Sequence, residues 1–80
     1  MINLYTDHLD LIEWRLLPNG DKAELHNLTN GKVRLIVFSE DDQDWEWDDY
    51  DTEAEARLPF DEVESLDEMF VKKSNDALEN

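Results

Sequence analysis

Eighty residues carry 22 acids against seven bases, a formal charge of −15, with 40% hydrophobic residues and no cysteine. That length fits one domain, which buries only about 60% of its unfolded surface and has little room for a deep catalytic cleft. The charge argues against direct binding to DNA, RNA or an anionic membrane, because phosphate contacts need Lys and Arg, and without cysteine neither a disulfide framework nor a thiolate metal site can form.

Residues 1–7 lack the basic and apolar regions of a signal peptide. The longest apolar run, Leu35-Ile36-Val37-Phe38, falls far short of the roughly 20 residues that a membrane helix needs. A cytoplasmic location is therefore the expectation, and the glycosylation-like tripeptide Asn27-Leu28-Thr29 carries no weight. Residues 2–9 fit either a short strand or a helical turn.

From there the chain reads as antiparallel sheet. Ile12, Trp14 and Leu16 alternate with Glu13 and Arg15, a period of two. Pro18-Asn19-Gly20-Asp21 supplies a turn in which Asn-Gly accepts positive φ. Ala23 and Leu25 alternate with Lys22, Glu24 and His26, and Asn30-Gly31 is a second turn signal. In the run 32–38, Val33, Leu35 and Val37 share one face and Arg34, Ile36 and Phe38 the other. A strand apolar on parts of both faces belongs in the centre of a sheet or under a helix. Three alternating runs joined by two Asn-Gly turns predict a meander.

Charge then changes abruptly. Residues 1–38 hold five acids and four bases, whereas residues 39–80 hold seventeen acids and three bases. From Glu40 to Glu55 there are ten acids and no base. Within that run Asp44-Trp45-Glu46-Trp47-Asp48 alternates, which predicts a fourth strand with both Trp rings inward and the carboxylates outward. Thr52-Glu53-Ala54-Glu55 has the form of a capping box before a short helix ending near Pro59. Val63, Leu66, Phe70, Lys73 and Ala77 follow helical spacing beside Met69, predicting an amphipathic helix over 61–78 capped by Asp61 or Ser65. Lys72 and Lys73 fall late in it, where the helix dipole favours cations. The expected architecture is α+β, a three- to four-stranded antiparallel β-meander with a C-terminal α-helix packed on one face. Its one domain divides into a near-neutral meander (1–38), an acidic segment (39–60) and the helix (61–78).

A charge run is often only a solvated surface. Alternating carboxylates on a strand nevertheless stand about 6.5–7 Å apart, close to the spacing of phosphates along one nucleic-acid strand. Asp44, Glu46 and Asp48 would form such a row, extended by Asp42 and widened by Asp49, Asp51, Glu53 and Glu55, with Asp41 beside it. Trp45, Trp47 and Tyr50 interleave with these acids; the two Trp rings suit core packing beneath the strand, and Tyr50 suits an apolar anchor. Asp42, Asp44, Glu46, Asp48 and Glu53 also fall at positions 1, 3, 5, 7 and 12 of a calcium loop, but Trp47 occupies position 6, where such a loop requires Gly. His8 and His26 form no spaced ligand pair. Paired carboxylates for glycoside hydrolysis would need a cleft and a raised pKa. No metal, no cofactor and no catalysis are expected. The helix 61–78 reads as a core helix, or as a dimer seam if Met69 and Phe70 lack partners within one copy.

The run Glu40-Asp41-Asp42-Gln43-Asp44-Trp45-Glu46-Trp47-Asp48-Asp49-Tyr50-Asp51 and the acidic stretch 61–68 resemble the small acidic inhibitors of phages and mobile elements. These include anti-CRISPR proteins, antirestriction proteins and DNA-imitating inhibitors of uracil-DNA glycosylase. The resemblance is one of size, charge and coarse fold rather than of motif. It implies a viral protein, monomeric or homodimeric, that occupies the DNA- or RNA-binding groove of a basic protein through Asp41, Asp42, Asp44, Glu46, Asp48, Asp49, Tyr50, Asp51, Glu53 and Glu55. An immunity protein or antitoxin against a basic nuclease, and an acidic assembly domain without inhibitory role, remain open beside it.

Overall fold

The computed structural model describes residues 8–41 and 43–71. Four strands, β1 (His8–Leu16), β2 (Lys22–Leu28), β3 (Val33–Phe38) and β4 (Trp45–Tyr50), are followed by helix α1 (Glu53–Glu62). The strands form one antiparallel sheet in the order β1-β2-β3-β4, so the acidic β4 is an edge strand. The predicted meander and its fourth strand are both present. Of the ambiguous opening residues, His8 and Leu9 belong to β1, and residues 2–7 lie outside the described part.

Both Asn-Gly turns form as expected, each as a three-residue loop that ends in a glycine with positive φ. Leu17 N–H donates to the Asp21 carbonyl at 2.7 Å and Gly20 N–H to the Leu17 carbonyl at 3.0 Å, with Gly20 at φ +97°. Leu28 and Gly31 repeat the pattern at the next corner, with Gly31 at φ +88°. A turn followed by one left-handed residue matches the twist of the flanking strands, and glycine takes that conformation without steric cost.

One face of the sheet carries the helices. Ala23, Leu25, Val33, Leu35 and Val37 pack there with Leu17, Ala56, Phe60, Val63, Leu66 and Met69. Phe60 is fully buried, which is worth about 2–3 kcal/mol by transfer alone. Thr52 caps α1 as its capping box predicts: its Oγ1 accepts the Glu55 N–H at 3.2 Å. The helix runs three residues beyond Pro59, because Arg15 of the sheet binds its end. Arg15 Nε donates to the Phe60 carbonyl at 2.8 Å and a second guanidinium nitrogen donates to the Val63 carbonyl. α1 has no base in its own last turn, so Arg15 supplies the cation that the exposed carbonyls there favour.

The expected single helix over 61–78 is corrected. Residues 61 and 62 end α1, residues 63–65 are not helical, and a second helical run begins at residue 66 and reaches residue 71, the last described there. Val63 is extended, at φ −64° and ψ 136°, and this breaks the continuity. Ser65 still caps the second run, its Oγ accepting the Glu68 N–H at 3.4 Å, while Asp61 lies inside α1. Of the two residues named for a dimer seam, Met69 is buried in the core and Phe70 is 40% exposed. Lys72, Lys73 and Ala77 lie outside the described residues. Among the described residues no helix is long and apolar enough to cross a membrane.

Candidate functional site

β4 pairs with β3 in the register Phe38↔Trp45, Ile36↔Trp47 and Arg34↔Asp49 on one face, and Val37↔Glu46, Leu35↔Asp48 and Val33↔Tyr50 on the other. Val33, Leu35 and Val37 lie under the helices, so Glu46, Asp48 and Tyr50 face the helix side. Trp45 and Trp47 face away from it. The expectation of inward Trp rings is therefore wrong: they are 44% and 37% exposed, while Glu46 and Asp48 are half-buried. Alternation gives two faces but does not say which one the helices cover, and the phase of β3 decides it.

The acids expected to act together have different surroundings. Asp41, exposed in the β3–β4 turn, accepts the Ser39 hydroxyl at 2.7 Å and the Gln43 N–H at 3.1 Å. Those two bonds, the hydroxyl first, hold its carboxyl below the usual carboxylate range. Asp42 lies outside the described residues. Asp44 is exposed just before β4, its N–H donating to Ser39 Oγ at 3.0 Å. Glu46 and Asp48 are two residues apart on one face of an edge strand, which sets their Cα atoms about 6.5–7 Å apart. These two, with Asp44 preceding them, are what remains of the expected row.

Asp49 leaves the row for the opposite face, where Arg34 grips it with two bonds of 2.6 and 2.8 Å. Asp51 lies 3.5 Å from Lys32, and Glu53 accepts from Arg57 at 3.1 Å one helical turn on. Arg57 also donates to Glu13 of β1 at 2.8 Å; these bonds, to Glu13 first, raise its pKa further. Glu55 sits exposed in the first turn of α1, where the helix dipole favours a negative charge.

Tyr50 is half-buried beside this acidic edge. Burial, then the neighbouring Asp48, raises its phenol pKa, so it stays a neutral hydroxyl at ordinary pH. It lines an open depression of about 420 Å³ with Ala54, Glu55, Leu58, Pro59 and Glu62. The floor is apolar and the rim carries two carboxylates. Such a site takes a long cationic side chain, with its methylenes on Tyr50, Leu58 and Pro59 and its head at Glu55 or Glu62. Leu58 was not picked out in the sequence, and Glu62 only as part of the acidic stretch 61–68, because nothing in the pattern shows that the helix would continue past Pro59 and bring them level with Tyr50.

Among the described residues no group of three or more His, Asp or Glu side chains could hold a metal ion. Comparison with protein families, with curated proteins and with solved structures finds no match.

Proposed function

We propose that this is a non-catalytic acidic binding domain that seats in the nucleic-acid groove of a basic protein and blocks it. The observation that carries the reading is the continuity of the helix-side edge: the Asp44, Glu46 and Asp48 row leads through Tyr50 into a depression with an apolar floor, rimmed by Glu55 and Glu62. The row offers carboxylates at phosphate-like spacing to successive Lys or Arg side chains, and the depression anchors one such side chain along its length. A charge of −15 speeds the encounter with a basic partner and opposes compaction of the chain itself. The contact set centres on the helix-side edge, Asp44, Glu46 and Asp48 with Asp41 and Glu55 beside them, and on Tyr50 and Glu62 at the anchor.

Inhibition is stoichiometric and needs no cofactor, and the cytoplasm is the compartment in which such a target is met. The test is capture of partners by the tagged protein, followed by competition with added DNA or RNA. A single nucleic-acid-binding protein that is displaced by nucleic acid, and that is no longer captured by the Asp44→Lys, Glu46→Lys, Glu55→Lys triple variant, supports the reading. A partner that holds despite excess nucleic acid sinks it in favour of an immunity or assembly role.

A further inference from the structure

We infer that the outer side of α1 carries one continuous groove, which takes a basic segment of the partner through two long cationic side chains. This rests on the reading above in one respect, that the partner is basic, and it adds a second cation contact beyond the end of α1.

Helical spacing builds the floor. Ala54, Leu58 and Glu62 recur every four residues and Glu55 and Pro59 lie beside them, so all five share one side of α1. Tyr50 flanks this stripe across the open depression of about 420 Å³. Pro59 and Glu62 also border a second depression, of about 350 Å³, whose other walls are Val63, Glu68 and Met69. The two hollows therefore meet along Pro59 and Glu62. On one straight helix Pro59 and Met69 would stand about 15 Å apart. The extended Val63 turns the chain off the axis of α1 instead, and Glu68 and Met69 come back beside its last turn. Val63 and Met69 are buried beneath the groove, whereas Leu58 is 64% exposed in it.

Charge names the occupant. Glu55, Glu62 and Glu68 border the groove, and no base lines either depression. Among the described residues no Lys or Arg pairs with these three, although Glu13, Asp49, Asp51 and Glu53 all have such partners. Two of the three are held by the caps of the helical runs. Thr52 Oγ1 donates to Glu55 Oε1 at 3.3 Å, and Glu68 Oε2 accepts the Glu64 N–H at 2.7 Å. A carboxylate accepts several bonds at once, so each keeps room for a cation. An acidic segment would be repelled here, and an apolar one would strip water from three carboxylates without replacing it. A basic segment lays its methylenes on Tyr50, Leu58 and Pro59, with one charged head at Glu55 and the next between Glu62 and Glu68.

The separation of the heads follows from the helix. Glu55 and Glu62 are seven residues apart, about 10 Å along α1. An extended segment rises about 3.3 Å per residue, so cationic side chains three residues apart match that distance. Two contacts carried by one segment reinforce each other, because the second forms within a complex already made.

NMR titration of the full chain with capped alanine peptides at about 50 mM NaCl tests this. The peptides carry two arginines separated by one, two or three alanines. Controls carry a single arginine, or citrulline in both places. The expected result, at the best spacing, is amide shifts around Tyr50 and Leu58 and around Val63 and Met69 that saturate together. The Kd should lie about tenfold or more below that of the single-arginine peptide. Glu68→Gln keeps the cap, since Gln serves in a capping box as Glu does, and should weaken the two-arginine peptide several-fold. No gain from the second arginine at any spacing overturns the inference. So do shifts confined to the Tyr50 depression or to the Asp44, Glu46 and Asp48 row, and so does equal binding of the citrulline peptide. Partner capture reads the proposed function separately. Capture that nucleic acid displaces but Glu68→Gln leaves unchanged keeps that function and removes the groove from it. A groove that binds the two-arginine peptide, beside a partner that nucleic acid cannot displace, keeps the groove and sinks the blocking role.

Discussion

Asp21 Oδ2 accepts the backbone N–H of Leu66 at 2.8 Å, tying the first turn to the start of the second helical run 45 residues later. The same buried carboxylate accepts the Asn19 side-chain amide at 2.7 Å through Oδ2 and the Glu40 N–H at 3.1 Å through Oδ1. One side chain thus joins the β1–β2 turn, the β3–β4 turn and the C-terminal region. Hydrogen bonds to a charged group are worth about 1.5–3 kcal/mol each, and orphaned buried donors add to the loss. Asp21→Ala should lower stability by about 3 kcal/mol in urea denaturation and Asp21→Asn by less, with the Leu66 amide losing protection from hydrogen exchange in both.

Arg15 does at the end of α1 what Asp21 does at the turns. Its guanidinium spans two carbonyls and lies 5.6 Å over the Phe60 ring. Arg15→Met keeps the apolar stem and loses the fork, and should cost about 2 kcal/mol. Arg15→Lys should recover only part of that, because an ammonium cannot make the planar two-carbonyl contact. Urea midpoints for the two variants, with the helical signal of residues 60–63 followed by NMR, separate loss of charge from loss of geometry.

The two turn glycines should differ in cost. A Cβ on Gly31 meets nothing within 4 Å, so Gly31→Ala loses only backbone freedom at positive φ, about 1 kcal/mol. A Cβ on Gly20 lands 3.1 Å from the Glu40 carboxyl, so Gly20→Ala adds a steric shift and should be the more destabilising of the two. Glu40→Ala should remove that extra cost while leaving the positive-φ penalty, a double-mutant comparison read from melting temperatures.

His8 gives the fold a pH dependence in the acid range. Burial, then the nearby His26 and Arg34, lowers its pKa from 6.5 to about 4, while Glu24 and Asp49 oppose the shift. The rings of His8 and His26 are 4.1 Å apart. The folded pKa lies below the unfolded one, so between these values the unfolded chain binds a proton that the folded chain refuses. Stability due to His8 is therefore fully present above pH 6.5 and falls as the pH drops toward 4. Discounted for partial exposure, the loss is about 1–2 kcal/mol. His8→Gln should flatten the urea midpoint over that interval relative to the parent.

How much of this was legible beforehand depends on whether the signal was local. Both Asn-Gly turns, the four-stranded meander, the double-faced β3 and the Thr52 cap follow from neighbouring residues, and they are found as expected. The orientation of β4 was not legible, because alternation around Trp45 and Trp47 is symmetrical and only the helices choose a side. β1 has irregular register between Leu11 and Glu13, which puts Ile12 toward the core and turns Trp14 and Leu16 to the open face. A strict period of two conceals that shift. The acidic row was half visible: spacing gives Glu46 and Asp48 a shared face, but only the sheet register shows that Asp49 crosses to Arg34. Asp21 and Arg15 act over more than 40 residues and leave no local signature.

Asp61 and Glu62 stand in the last turn of α1, the end at which the helix dipole disfavours negative charge. Glu62 is exposed and borders the depression with Tyr50. Glu62→Lys should therefore stabilise the fold by about 0.5–1 kcal/mol at low ionic strength, a gain that shrinks as salt rises. If the depression anchors a basic side chain, the same substitution should also weaken capture of the partner. Thermal melts and partner binding measured on one preparation of Glu62→Lys and Glu62→Gln read both effects. Greater stability with weaker binding means that an acid is kept at an unfavourable helix end for recognition. Greater stability with unchanged binding removes Glu62 from the contact surface and leaves the Asp44, Glu46 and Asp48 row to carry recognition.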